Sequence, residues 1–175
     1  MFRHAALAIA CLALSLVGEA QVSKCPKLPV NYHWESARDY KRDEDLAIRT
    51  LRWLVSTPLN SELQLRGDAN LFVMEWICGS PRIEINIQTK ALPFYAEYPD
   101  LLFPYIHGVA YCYLSKNADC NELQAQVEGF NTVAFMVRTD AKLSKVKAFH
   151  ALLKAYKKGK MASYVESLKS NKESR

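Results

Sequence analysis

Between residues 37 and 55 the apolar positions Leu46, Leu51, Leu54 and Val55 recur at helical spacing, while Asp39, Lys41, Arg42, Asp43, Glu44 and Asp45 crowd the first turns. Carboxylates at that end suit the helix dipole, so the spacing predicts a first helix. A second stripe follows in Leu65, Ala69, Phe72, Val73 and Trp76, with Thr57-Pro58 resembling its cap and first-turn proline and with Gly79 and Pro81 ending it. Then the period changes. Ile83, Ile85 and Ile87 alternate with Glu84, Asn86 and Gln88, the two-residue repeat of an extended segment near residues 82–88. Either residues 28–34 pair with this segment or it runs extended across helices as a long connection. No other segment alternates as cleanly, which favours the second.

Leu101 to Leu114 is a run of fourteen residues almost without charge and apolar on all sides, the signature of a central buried helix, with Pro104 beginning or kinking it near its start. Asp119 or Asn121 can cap the next helix, striped by Leu123, Val127, Phe130, Ala134 and Val137. Ser144 can cap a fifth, with Val146, Phe149, Leu153 and Tyr156 inward and Gly159 at its end, and Met161 to Leu168 forms a short sixth. The expected fold is all-α: a single-domain bundle or short stack of five to six helices over residues 37–168, with an N-terminal arm at 21–36 and a frayed polar tail at 169–175. No fixed-period repeat is legible, which disfavours a solenoid.

Composition narrows the class. In 175 residues, 50% hydrophobic and 23% charged with 6 Gly and 7 Pro, there is one globular domain and no disordered or collagenous character. Arg3 and His4 precede an apolar run at residues 5–17, and Gly18-Glu19-Ala20 puts small residues where a signal peptidase reads. Residues 1–20 therefore read as a signal peptide cleaved after Ala20, sending the chain to the periplasm or beyond. The apolar run is too short for a transmembrane segment, and Cys11 within it is discarded with the leader. Export leaves Cys25, Cys78, Cys112 and Cys120, an even number with three possible pairings. Joining Cys112 to Cys120 would staple one helix to the next, and joining Cys25 to Cys78 would tether the arm.

Candidate chemistry is sparse. His33, His107 and His150 lie more than a helical turn apart, and no metal or cofactor motif is present, so no cofactor is expected. His107, in the middle of the buried helix, reads as a hydrogen-bonded core histidine. Cys78-Gly79-Ser80-Pro81 is similar to the C-G-S-C run of papain-like proteases until Pro81 takes the nucleophile's position; Cys120, ahead of a helix N-terminus, would be the better nucleophile if free. Asp68 and Glu75, with Glu62 four before Arg66, form a polar helix face rather than a glycosidase pair. Phe94, Tyr95, Tyr98 and Tyr105 are denser than packing requires and form a candidate aromatic groove for a sugar or peptide.

Charge is the strongest asymmetry. From Arg138 to Arg175 there are 11 Lys or Arg against 3 acids, whereas residues 21–137 hold 11 bases and 14 acids. Lys145, Lys147, Lys154, Lys157, Lys158 and Lys160 are the candidate contacts to an anionic envelope component or an acidic protein; export disfavours nucleic acid, and a plain solvated face is the alternative.

Trp53-Leu54, Thr57-Pro58-Leu59-Asn60, Arg66, Asn70, Phe72, Trp76, Gly79-Ser80-Pro81 and Tyr156-Lys157-x-Gly159 together resemble a group of short, exported helical proteins of Gram-negative, Bacteroidota-type bacteria. The resemblance covers residues 43–165. It implies a periplasmic or secreted helical protein and brings no reaction, cofactor or catalytic residue with it. The functional expectation is a non-enzymatic envelope protein acting by contact with another macromolecule. The alternatives are an envelope hydrolase or thiol enzyme with a site assembled from distant residues, and a carrier of a small apolar ligand. A deep pocket with convergent titratable groups would favour the enzyme, and a closed, well-filled core around residues 101–114 would exclude the carrier.

Overall fold

A computed structural model describes residues 24–116 and 120–173, and among them the chain forms six α-helices and no strand. The leader lies outside the described residues. Helix α1 (Ala37–Ser56) starts from a capping box between Ser36 and Asp39 and buries Ala47, Thr50, Leu51, Trp53 and Leu54. Helix α2 (Leu63–Gly79) buries Ala69, Phe72, Val73, Trp76 and Ile77 against it. Helix α3 (Leu102–Lys116) carries Pro104 in its first turn, where the missing N–H costs nothing. Helix α4 (Glu122–Thr139) is capped by Asn121, whose side chain accepts from the Gln124 N–H while Gln124 reaches back. Helices α5 (His150–Lys157) and α6 (Met161–Glu173) complete the order, with Gly159 at φ 62° turning the chain between them.

The run from Leu101 to Leu114 lies where its composition places it. Ile106, Ala110 and Leu114 on one face of α3 join the α1–α2 cluster, and Tyr105, Val109 and Cys112 on another join a cluster built by α4, α5 and α6. Glycine makes the α3–α4 contact close: a Cβ on Gly108 would overlap the Glu128 carbonyl oxygen and meet Thr132 Oγ1, and one on Gly129 would press into the Tyr105 ring. Cys112 and Cys120 are joined, with Cα atoms 5.9 Å apart, so the staple across the α3–α4 turn is present.

The arm at residues 24–36 has no helix but is tied down. Trp34 stacks on Tyr32 at 4.8 Å and on Tyr40 at 5.6 Å, its Nε1 donates to Asp43 Oδ2 at 2.8 Å, and both rings meet Phe72. Residues 83–88 are extended without a strand partner. Ile83, Ile85 and Ile87 lie half-buried against the helices and Glu84, Asn86 and Gln88 face water, which is the long-connection alternative.

Several boundaries differ from expectation. Thr57 ends α1 instead of capping α2, which begins six residues later after Glu62 in a left-handed conformation. Leu65 is exposed; the position expected for it on the inner stripe belongs to Arg66. Ser144 sits in a 3-10 turn held by Asp140, whose carboxylate accepts from the backbone N–H groups of Lys142 and Leu143, and α5 begins only at His150, after Phe149 and without a side-chain cap. The tail expected to fray continues α6 as far as Glu173. Cys25 and Cys78 remain separate thiols. Burial, then the charges of Glu62 and Asp68, push the half-buried Cys25 thiol up, and Cys78 is exposed near the C-terminal end of α2.

Because the clash at Gly108 is with backbone, Gly108→Ala should cost about 1–3 kcal/mol. Urea denaturation would measure it; an unchanged midpoint would mean that α3 and α4 separate freely.

Candidate functional site

Two places in the molecule combine shape with polar chemistry. The first is a cleft of about 710 Å³ between the extended segment, α3, α4 and α6, within the size range of ligand pockets. Tyr105, Val109 and Phe130 form its buried floor, and Leu92, Ala125 and Val165 its lower walls. The rim is polar, with Glu84, Asn86 and Gln88 on the segment, Glu122 at the start of α4 and Lys169 on α6, all exposed. Tyr105 and Tyr113 open onto it and make no hydrogen bond among the described residues. Burial, with Tyr113 and Glu122 nearby, pushes the Tyr105 phenol up to about 12, and burial followed by Glu122 raises Tyr113. Both therefore stay protonated and available as donors.

Residues 84–88, five in a row, border this cleft. Side chains of an extended chain alternate in direction, so a cavity met by consecutive residues is met along the backbone edge. The backbone N–H and C=O groups of Ile83 to Ile87 make no hydrogen bond among the described residues.

The second place is buried. Arg66 lies under the α1–α2 turn, 6% exposed, and its Nη2 donates to the carbonyls of Leu54, Thr57 and Pro58 while the guanidinium stands 5.8 Å from the Trp53 ring. It thus caps the negative end of α1 instead of pairing with Glu62 on a solvated face. Burial lowers its basicity. Around it Trp53 Nε1, Thr57 Oγ1, Arg66 Nε, Asn70 Oδ1 and both ring nitrogens of His107 are buried without a protein partner. His107 is a core residue as expected, but neither ring nitrogen has a hydrogen-bond partner among the described residues. Desolvation and the nearby Arg66 charge hold it down to about 3.

The expected aromatic groove is not formed. Phe94 is buried and packs on Tyr105 and Phe130, Tyr98 packs on Phe149 at 4.9 Å, and Tyr95 is half-buried; of the four, only Tyr105 borders the cleft. These rings satisfy each other. Cys120, the candidate nucleophile, is consumed in the disulfide, and Cys78 is exposed at the far end of α2. Asp68 and Glu75 stand in solvent. Lys145, Lys147, Lys154, Lys157, Lys158 and Lys160 are all exposed, and among the described residues none takes part in an ion pair. Sequence pattern pointed to none of the cleft but Tyr105 and the segment beside it, because the other walls come from elements far apart in the chain.

No known protein family, curated protein or solved structure matches the chain, so the reading rests on this geometry.

The buried imidazole has a consequence for acid stability. The folded-state value of His107, about 3, lies below its ordinary 6.5, so the unfolded chain takes up the proton first. The stability this histidine permits is complete above about pH 6.5 and falls as pH drops toward 3, by up to about 1.4 kcal/mol per unit. His107→Leu should flatten that limb of a stability-against-pH curve; parallel curves for the two proteins would contradict the assignment.

Proposed function

We propose that the protein is an exported, non-catalytic binding module of the cell envelope and that its ligand sits in the cleft between the extended segment and helices α3, α4 and α6. The observation that carries this reading is the floor: Tyr105, Val109 and Phe130 are apolar and preformed, while the carboxylates Glu84 and Glu122 stand on the rim. An apolar floor with a few polar groups around it orients a ligand, and the charged groups Glu84, Glu122 and Lys169 stand exposed on the rim. The carrier reading draws on the same cavity, since the space beside α3 is not closed.

Nile red, a neutral dye that brightens in apolar surroundings, tests the site. It should bind the chain, and Ala91→Trp or Gln126→Trp, each placing an indole in the cleft from a half-buried position, should weaken binding at least tenfold without changing helicity. Equal binding by both variants would place the dye elsewhere and remove the proposal.

A second contact surface is favoured by one specific observation, the unpaired lysines. Charges left without partners and fully in water stabilise the fold little and remain free to attract an anionic envelope component. Triple replacement Lys154→Glu, Lys157→Glu, Lys158→Glu should abolish cosedimentation with phosphatidylglycerol-rich vesicles at low salt, and about 0.5 M salt should do the same to the native chain. Cosedimentation that survives both treatments would rule out an electrostatic surface.

A further inference from the structure

The cleft is bordered by something unusual in a helical protein: a stretch of extended backbone whose hydrogen-bonding groups are unused. Ile85 and Ile87 pack against both core clusters and Ile83 against the α1–α2 cluster, which anchors that stretch to the core. Residues 84–88 border the cleft, and of their carbonyls only that of Gln88 is engaged, accepting from the Ala91 N–H. Opposite it stand the apolar floor and the two protonated tyrosine hydroxyls, which can donate to carbonyl oxygens. Glu84 and Glu122 on the rim are in no ion pair among the described residues.

A compact apolar ligand would use the floor and leave the backbone edge idle. A ligand that matches every feature has a backbone of its own. We infer that the cleft binds an extended peptide segment, which adds as a strand to residues 83–88, lays alternate apolar side chains on Tyr105, Val109 and Phe130, and offers a basic side chain to Glu84 or Glu122. Main-chain pairing of this kind supplies affinity with little demand on sequence, and the floor selects for alternation. The six residues of the segment span about 20 Å, enough to pair with a comparable length of partner. A peptide held this way would also cover a strand edge that is otherwise open to unwanted pairing.

This inference rests on the cleft being the ligand site, and one experiment separates the two ideas. The probe is the hexapeptide acetyl-Lys-Val-Thr-Val-Thr-Val-amide, titrated against the Nile red complex and followed by amide hydrogen exchange. The expected result is displacement of the dye together with at least tenfold slower exchange at alternate amides within residues 83–88. A version N-methylated at every amide should bind at least tenfold more weakly. Displacement without slowed amides, equal binding of the methylated peptide, or failure of the peptide where the dye still binds would each overturn strand addition and leave the cleft standing. Failure of dye and peptide alike would overturn both.

Discussion

Helix α3 has no polar face to give to water, and the arrangement of the other helices follows from that. An apolar stripe can be satisfied by one neighbour; a rod apolar on all sides needs cover all round. Helices α1 and α2 cover Ile106, Ala110 and Leu114, and α4, with α5 and α6 behind it, covers Tyr105, Val109 and Cys112. Gly108 and Gly129 let the backbones of α3 and α4 approach until carbonyl and ring fill the space where methyl groups would be. The disulfide from Cys112 to Cys120 then ties the last turns of α3 to the residue just before the α4 cap. Polar side chains drawn inside by this packing have little choice of partner, which is how His107 comes to be buried with both ring nitrogens unsatisfied and held neutral.

The cleft is a by-product of the same constraint. Two clusters meet along α3, and the chain must cross from α2 to α3 over the seam between them. A helix there would need a continuous apolar stripe. An extended chain needs only every second residue, and Ile85 and Ile87 touch both clusters while their neighbours face water. The saving in apolar surface leaves the backbone of residues 83–87 without hydrogen-bond partners among the described residues, beside the cleft. Shape and unused hydrogen-bonding capacity thus arise in one place for one reason.

Much of the fold was legible because it depends on local pattern. The α1 start, the alternation of Ile83, Ile85 and Ile87, the buried run of α3 and the turn at Gly159 are each decided by residues within a few positions of each other. What was not legible depends on distance in space. Thr57-Pro58 has the chemistry of a cap, but the Thr57 carbonyl is an acceptor for Arg66, and only the folded-back turn reveals that. Cys25 and Cys78 satisfy any count of cysteines yet stay separate thiols, Cys25 half-buried on the arm and Cys78 exposed near the end of α2. The density of rings at Phe94, Tyr95 and Tyr98 is used up in contacts with α3, α4 and Phe149, so an apparent surplus in sequence was a packing requirement. The site suffered most, since its walls come from four separated elements.

The two charge systems of the molecule are treated in opposite ways, and the contrast separates structure from surface. Asp39 and Asp43 pair with Arg42, Glu44 with Lys41 and Arg82, and Asp45 with Arg49, a dense set of exposed contacts along α1. Such pairs stabilise a helix by a few tenths of a kcal/mol each and cancel the local field. From Lys142 to Lys160 there are seven lysines and no acid, with Asp140 beside Lys142 as the nearby counter-charge. Mutual repulsion among them is a standing cost that a purely structural helix would avoid with one or two glutamates. The apolar faces of Phe149 and Leu152 meet the packing needs of α5 without any contribution from those charges. The packing of α5 therefore gives those lysines no structural role, and that is the ground for the second contact surface proposed above.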